Sequence, residues 1–331
     1  MTGGIQYFHT RFWPHKLPVL GETSLERPMT PDPQTSTCAV RGYLLVLLAA
    51  SLWATLGVIY TLLARAGLAA ITVAALRAGL GGLLLLAGLF IFRRGWLRIN
   101  RRALRVVLLY GVLGVALFYA SYVNAILSVG VAVAAVLLYT APAWVALIAW
   151  RFLGEQLTRR HVAALLLTLI GTALVAQVFR SSAVQIINVS GIFWGLMAGL
   201  TYGLWSVFNK VGVRHTNPWT LQCYGMLVGA VALLVVQPPL ALGNVAPTPQ
   251  TVFWLLALTL GPTVGASVAY AAGVRTVPVS VASLVATLEP VLAALLAFVV
   301  LGETLNAGQL LGGGLILLAV WLLRPRFSRV T

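Results

Sequence analysis

The sequence predicts an all-α integral membrane protein in which ten transmembrane helices form two inverted five-helix repeats. Three observations support this prediction: the apolar composition, the long apolar runs and a pattern that recurs in both halves. Of 331 residues, 60% are hydrophobic and 8% are charged, and the mean hydropathy is +0.96. A soluble domain carries about a quarter charged residues. A soluble globular protein is therefore excluded.

Ten mostly apolar runs, nine of 17 to 25 residues and a last one of 15, are about long enough to cross the hydrocarbon core of a bilayer. They lie near residues 42–63, 68–92, 104–127, 131–152, 162–178, 191–211, 219–236, 252–273, 279–301 and 309–323. The polar, proline-bearing residues 1–41 predict a disordered cytoplasmic tail, and residues 324–331 a basic cytoplasmic tail. Between them, residues 42–179 and 191–323 are the two predicted repeats.

Basic residues in the loops predict the orientation. Arginine and lysine are concentrated after the second, fourth, sixth and eighth runs and at the C-terminus, whereas the alternate loops hold only Arg65 and Arg180. The positive-inside rule then places both termini in the cytoplasm, which requires an even number of spans. We expect a multi-pass protein of the bacterial cytoplasmic membrane. The formal charge of +16 does not indicate nucleic-acid binding, because these charges lie between spans and not on one basic face.

An internal repeat relates the two halves. A shift of 148 positions places residues 131–155 on 279–303, with Pro142 on Pro290 and the Leu-Gly-Glu sequence ending at Glu155 on the one ending at Glu303. Five predicted spans, an odd number, separate the two copies, so the copies must face opposite ways. Inverted repeats with matching broken helices are typical of secondary transporters, whose binding sites lie near the midplane.

Glu289 is the acidic residue that the sequence places deepest in the membrane. It lies near the middle of the ninth run, beside Pro290, which has no N–H to donate to the carbonyl of Ala286. Pro290 and its counterpart Pro142 are therefore candidate helix breaks. An ionisable group beside a broken helix at this depth indicates a functional site, with Glu289 binding a proton or a substrate amine. The alternative is a protonated acid that only holds two helices together.

Aromatic and polar residues recur at helical spacing on several runs, which predicts faces turned from lipid toward a cavity. An aromatic cavity accepts a planar or amine-bearing solute by stacking or cation–π contact. The alternative is helix packing and interfacial aromatic belts. The candidate cavity residues are Trp53, Tyr119, Tyr122, Tyr139, Tyr202, Trp205, Asn209 and Tyr270.

Three further charged residues have a predicted role. Arg77, within the second run, either has a structural role or binds a substrate carboxylate. Glu155 and Glu303 each follow a glycine and precede the next helix. A carboxylate in this position caps free backbone N–H groups or anchors the loop.

The segments Tyr139–Pro142 and Leu288–Val291, each leading to Leu-Gly-Glu, together with Arg77, resemble the drug/metabolite transporter superfamily. The similarity is to its EamA-type ten-helix members, which include bacterial amino-acid and metabolite exporters, and covers about residues 42–323. It implies two five-helix halves around a central cavity, alternating access and transport without ATP hydrolysis. The absence of a GxxxxGK[ST] motif agrees. The first copy has Ala141 where the second has Glu289, so carboxylate chemistry is asymmetric.

We therefore expect a secondary active transporter that exports amino acids or related small metabolites, with proton coupling through Glu289 as a hypothesis. The alternatives are a carrier of another solute class (a drug, a nucleoside or a sugar-type metabolite), a channel, or a membrane protein that transports nothing. An enzyme is not expected, because the four histidines fall in the tail or at loop edges. Cys38 and Cys223 lack metal-ligand spacing, so neither a metal nor a cofactor is expected. The oligomeric state has no signature in the sequence.

Overall fold

The computed structural model describes residues 33–178, 189–236, 248–301 and 304–323. Within these ranges the chain is helical and contains no strand. We number the helices α1 to α10, joining pieces that a short kink or a stretch of π-helix separates. They are α1 (Pro33–Ala54 with Leu56–Arg65), α2 (Ala70–Phe92), α3 (Arg101–Leu138), α4 (Ala141–Leu153), α5 (Arg159–Val175), α6 (Val189–Gly212), α7 (Pro218–Val236), α8 (Pro249–Gly273), α9 (Val279–Ala286 with Glu289–Leu301) and α10 (Ala307–Leu322).

Seven of these helices, α1 to α3 and α6 to α9, are long and apolar enough to cross a membrane by length and composition. The apolar helices α4 and α10 are shorter, and α5 has 17 residues. Large apolar side chains on the outside, such as Phe92, Val235 and Val299, are at least 75% exposed and suit contact with lipid. The predicted class, a helical integral membrane protein, is confirmed, while the number of ten spans stays a prediction.

Two helix boundaries differ from the sequence analysis. Helix α1 begins at Pro33, so residues 33–41 are helical and not part of a disordered tail. Helix α3 has 38 residues and kinks at Gly130, where φ is +77°. Its last turns, residues 131–138, therefore lead into α4 and belong to the predicted fourth span. The rest of both predicted tails lies outside the described residues.

The helix pairs follow the repeat. Helix α2 packs on α7, α5 on α10, α1 on α8, and α6 on α3. The repeat exchanges α1 with α6, α2 with α7, α3 with α8 and α5 with α10. The repeat therefore maps the pairs α2–α7 and α5–α10 onto themselves, and it maps the pair α1–α8 onto the pair α6–α3. A two-fold arrangement of the halves accounts for this pattern.

The contact between α2 and α7 shows that the repeat is inverted. A Cβ atom on Gly82 would lie 2.7 Å from Leu227 Cγ, and one on Gly79 would lie 3.9 Å from Ala230 Cβ. The shift of 148 positions converts Gly82 into Ala230 and Gly79 into Leu227, so each contact is the image of the other. Because residue numbers rise along α2 as they fall along α7, the two corresponding helices are antiparallel, as an inverted repeat requires.

Substituting Gly82 by alanine tests how tightly these helices pack. The new methyl group would overlap Leu227, including its backbone nitrogen at 3.0 Å. Overpacking of this kind costs about 1 to 3 kcal/mol. We expect Gly82→Ala to lower the thermal midpoint of the purified protein by several degrees.

Gly88→Ala is the matched control for Gly82→Ala, because it lies on the same helix and a Cβ there meets nothing within 4 Å. Alanine also favours a helix over glycine by about 1 kcal/mol, so this control should leave the midpoint unchanged or raise it. Equal midpoints for the two variants would contradict the close packing of α2 on α7.

Candidate functional site

Helix α9 is interrupted in its middle. Its first half ends at Ala286, and the amides of Thr287 and Leu288 bond the carbonyls of Leu284 and Val285, three residues back. The second half begins at Glu289, with Pro290 in its first turn, where the missing N–H disturbs the helix least. The Glu289 carboxylate thus lies at a helix N-terminus inside the membrane region. Free N–H groups and the helix dipole favour negative charge there.

Helix α4 begins at the corresponding place. Helix α3 ends at Leu138, Tyr139 and Thr140 form a turn, and α4 starts at Ala141 with Pro142 in its first turn. The two interruptions are 148 positions apart, as the sequence repeat requires. The first interruption carries Tyr139 and Ala141 where the second carries Thr287 and Glu289. A carboxylate is therefore present at one of the two breaks.

The partly buried Glu289 has polar and charged neighbours from three other helices. The Tyr139 hydroxyl, between α3 and α4, is an electrostatic neighbour of its carboxyl group. The charge of Arg77, from α2, acts on Glu289 without a direct ion pair between the two side chains. Tyr122 and Tyr202 are also electrostatic neighbours of Glu289. Burial disfavours the ionised carboxylate, whereas Arg77, Tyr139 and the helix N-terminus favour it.

The Arg77 side chain points inward, although its position in the sequence left both directions open. It is 8% exposed. Its guanidinium carbon lies 4.5 Å from the ring centroid of Tyr119 and 5.7 Å from that of Tyr60. Its Nε–H is buried and has no acceptor among the described residues. Arg77 is thus a cation held by aromatic faces, with a donor still available.

A small cavity lies between α4, α6, α8 and α9, next to the break in α9 that precedes Glu289. Its wall is mostly aromatic and aliphatic, with a few hydroxyl groups. The lining residues are Tyr139, Ala141, Pro142, Val145, Tyr202, Trp205, Ser206, Tyr270, Ser283, Ala286 and Thr287. Tyr139 lines the cavity and is also an electrostatic neighbour of Glu289, so the carboxyl group lies near the cavity wall.

Four of the eight predicted cavity residues, Tyr139, Tyr202, Trp205 and Tyr270, line this cavity. Trp53 lies behind the wall, with its ring centroid 5.5 Å from those of Trp205 and Tyr270.

Two more predicted cavity residues lie on the other side of Tyr202. Tyr119 and Tyr122 surround Phe118, which stacks on Tyr202 at 5.2 Å. Tyr119 contacts Arg77, and Tyr122 is an electrostatic neighbour of Glu289. Both therefore belong to the charged part of the site and not to the cavity wall.

Asn209 does not line the cavity as the helical spacing predicted. It is fully buried in a network below the wall, where its amide donates to the Trp205 carbonyl at 2.9 Å. The Gln222 amide donates to Asn209 at 2.7 Å, and the Tyr110 hydroxyl donates to Gln222 at 2.6 Å. Asn209 therefore holds Trp205 in place. Its side-chain amide bonds Gln222 of α7 and does not face the cavity.

Ser206, Phe118 and Tyr60 are among the residues of the site that were not singled out in the sequence. Ser206 lies one turn after Tyr202 and forms a hydrogen bond with Tyr270, so helical spacing could have indicated it. Phe118 lies four residues before Tyr122 on the same face and could have been found in the same way. Tyr60 has no such signal, because its role depends on the proximity of Arg77.

Glu155 closes one end of the cavity region. Its carboxylate accepts from the amides of Val279 at 2.8 Å and Ser280 at 3.1 Å, and from the Ser280 hydroxyl. It therefore caps α9, which is distant in sequence. Thr158 caps the adjacent helix α5 instead. Glu303, the predicted counterpart, lies outside the described residues.

Lys210 bonds the turn between α8 and α9, which leads to the residues that Glu155 caps. The ammonium group at the end of α6 donates to the carbonyls of Val274 at 2.6 Å and Val277 at 2.8 Å. These carbonyls follow α8, where free acceptors favour a cation. The turn between α8 and α9 is thus held by Lys210 at its start and by Glu155 at its end.

Together, the antiparallel halves, the two interrupted helices and the cavity beside a membrane-embedded carboxylate define a membrane transporter. The model of the EamA-like transporter family matches residues 40–177 and 189–324, which correspond to the two repeats. The chain belongs to this family, and its members are transporters and not enzymes.

Individual proteins show the same relationship. The chain is 35% identical to an uncharacterised transporter of Archaeoglobus fulgidus over 63% of this chain and 74% of that protein. It is 30% identical to a protein of Streptantibioticus cattleyicolor named as a probable terminal-alkyne amino-acid exporter, over 58% of this chain and 64% of that protein. A crystal structure with 20% sequence identity superposes with a TM-score of 0.71, covering 87% of this chain and 96% of the other, and shows the same fold.

The cap on α9 leads to a prediction about access to the cavity. Ser283 lines the cavity one turn beyond Ser280, which Glu155 binds. Glu155→Ala removes the acceptor of two backbone amides, at a cost of about 1 to 3 kcal/mol. In a protein carrying Cys38→Ser, Cys223→Ala and Ser283→Cys, we expect Glu155→Ala to raise the rate of maleimide labelling at position 283 several-fold.

Thr158→Ala is the control for this measurement, because Thr158 caps α5 and, among the described residues, forms no bond to α9. It should leave the labelling rate unchanged. A rate that stays the same in Glu155→Ala, in protein that elutes as a single folded species, would show that Glu155 does not limit access.

Proposed function

We propose that this protein is a secondary active transporter that exports amino acids or related small metabolites by alternating access, with protons coupled through Glu289. The observation that carries the proposal is the membrane-embedded carboxylate at the break of α9. It lies near an aromatic cavity whose wall includes Tyr139, its electrostatic neighbour. An ionisable residue inside the membrane is costly and is retained where it serves a substrate or proton pathway.

The inverted repeat supports alternating access. Because the two halves are related by a two-fold arrangement, exchanging their conformations turns a state open on one side into a state open on the other. Glu155 and Lys210 hold one end of the cavity region together. The interrupted helices α4 and α9 lie between the halves, where such a rearrangement changes access to Glu289. We place both termini in the cytoplasm and the protein in the bacterial cytoplasmic membrane, as the loop charges predict.

Two features support amino acids or related metabolites as the solutes. A carboxyl group and a guanidinium that are electrostatic neighbours, near a cavity lined by aromatic rings, suit small molecules with an amine, a carboxyl group and an apolar part. The relative from Streptantibioticus cattleyicolor is named for the export of an amino acid. Other solute classes, such as drugs, nucleosides or sugar-type metabolites, are the alternative.

Counterflow in proteoliposomes separates a carrier from a channel. Preloading vesicles with an unlabelled solute should accelerate the uptake of the same labelled solute, because a carrier exchanges one molecule for another. We expect this acceleration for at least one solute from a panel of amino acids, amines, nucleosides and sugars. Dissipation of a solute gradient without exchange would identify a channel.

Replacing Glu289 with glutamine tests proton coupling. The amide has nearly the shape of the carboxyl group but cannot bind and release a proton. For the solute found by counterflow, we expect Glu289→Gln to abolish transport driven by a pH gradient, by more than tenfold relative to the unchanged protein.

Arg65→Gln, at the end of α1, is the control for Glu289→Gln, because it also removes one charge but lies at an exposed position. It should retain the transport driven by the pH gradient. Undiminished transport by Glu289→Gln, with equal amounts of folded protein in the vesicles, would remove Glu289 from the coupling step.

A further inference from the structure

A strongly basic segment, residues 93–105, joins helices α2 and α3. It contains six arginines and no lysine, and all six arginine side chains are exposed. They are Arg93, Arg94, Arg98, Arg101, Arg102 and Arg105. The acidic residues in the described part of the chain are Glu155, which is bonded to α9, and Glu289, at the break of that helix. These positions leave the arginines of the segment without an acidic partner in the described ranges.

The segment is bonded to helix α7 of the other half. The Thr220 hydroxyl donates to the carbonyl of Trp96 at 2.8 Å, and the Tyr224 hydroxyl donates to the carbonyl of Leu97 at 2.8 Å. Further along, the Asn100 side chain caps α3 by accepting a backbone N–H at 2.8 Å. The first turns of α3 also pack against α6 and α7. The backbone that carries the arginines is therefore held in place by the second half and by a helix cap.

One face of the first turns of α3 carries both basic and apolar side chains. Its residues lie at helical spacing, and all are exposed: Arg101, Leu104, Arg105 and Leu108. Leu104 is 44% exposed and Leu108 is 46% exposed, whereas Val107 on the opposite face is buried. Arginine keeps its charged end in a polar layer while its stem contacts apolar groups. A face that combines arginine with leucine therefore suits the boundary between lipid headgroups and acyl chains.

Two arginines before α3 lie against aromatic rings. The guanidinium carbon of Arg94 lies 4.1 Å from the ring centroid of Phe90, and its Nε–H donates to the Phe90 carbonyl at 2.8 Å. The guanidinium carbon of Arg93 lies 5.8 Å from the ring centroid of Trp96, which is 42% exposed. Tryptophan and arginine at the end of an apolar helix are typical of the membrane interface. The segment therefore lies at the level of the lipid headgroups.

We propose that residues 93–105 bind an anionic phospholipid, whose headgroup phosphate is held by the arginines and whose acyl chains contact the exposed leucines. A guanidinium donates two parallel hydrogen bonds to phosphate oxygens, which an ammonium group does not. A zwitterionic headgroup carries its own cation beside the phosphate, so it neutralises the basic segment less well. Because the segment is bonded to α7, the bound lipid also stabilises the contact between the two halves. This inference does not depend on which solute is transported.

Lipid titration of the purified full chain in an uncharged detergent tests the proposal. The probes are dioleoylphosphatidylglycerol, which is anionic, dioleoylphosphatidylcholine, which has the same acyl chains, and inorganic phosphate. Apparent affinities are measured from the rise in thermal midpoint. We expect an affinity about tenfold higher for the anionic lipid than for the zwitterionic one, and no rise with inorganic phosphate. Equal affinities for the two lipids would overturn the proposal. Equal stabilisation by inorganic phosphate would indicate a site for soluble anions and would also overturn it.

The double variant Arg101→Gln with Arg105→Gln locates the lipid on the segment. It removes two charges from the exposed face of α3 and leaves the leucines of that face in place. We expect the ratio of the two lipid affinities to fall by about threefold or more, because two phosphate donors are lost. Both affinities are measured on the same variant, so a lower stability of that variant does not change their ratio. An unchanged ratio would overturn the assignment to this segment.

The double variant Arg159→Gln with Arg160→Gln is the matched control. It also removes two exposed arginines, at the start of α5, which the loop charges predict to be on the same side of the membrane. These arginines lie outside the segment, so the ratio of the two lipid affinities should stay unchanged. An equal loss of the ratio in both double variants would show that only the net charge of the protein matters. That result would overturn a lipid site at residues 93–105.

Discussion

The breaks in α4 and α9 are the constraint on which the rest of the structure depends. Proline has no N–H, so a helix that carries it inside the membrane leaves a carbonyl without its usual donor. Hydrocarbon offers no replacement, and non-helical backbone at this depth is tolerated only where protein or a cavity surrounds it. The breaks at Pro142 and Pro290 thus require a protein-lined interior around Tyr139 and Glu289. The cavity follows from this requirement.

The cavity wall is held rigidly by contacts on its outer side. Trp53 packs edge-on against Trp205 and tilted against Tyr270, and Tyr270 also bonds Ser206. Aromatic pairs at these separations contribute about 0.5 to 1.5 kcal/mol beyond their buried area. The network of Asn209 and Gln222 fixes the backbone below Trp205. Residues behind the cavity wall, such as Trp53 and Asn209, therefore help to define its shape.

The membrane class, the inverted repeat and the two break positions could be predicted because each depends on local chemistry. Apolar run lengths, proline and a recurring Leu-Gly-Glu sequence are visible along the chain. The partners that a residue contacts on distant helices are not visible along the chain. The spacing of Asn209 predicts a cavity residue, but its side chain accepts a hydrogen bond from Gln222 and does not line the cavity. Glu155 precedes α5 in sequence and yet caps α9.

Two further features could not be predicted from the sequence: the direction of the Arg77 side chain and the kink at Gly130. The depth of Arg77 in its helix is compatible with either direction of its side chain. Only the positions of Tyr60 and Tyr119 show that it points inward. The kink at Gly130 depends on a positive φ. Glycine permits this conformation, but a glycine in the sequence does not show that the chain adopts it.

Lys210 breaks the symmetry of the two halves. Its counterpart 148 positions earlier is Leu62, which cannot donate a charged hydrogen bond. The ammonium contacts to the turn after α8 therefore have no charged equivalent in the first half. In the proposed alternating-access cycle, contacts that one half forms and the other lacks make the two conformations of the unloaded protein unequal in free energy.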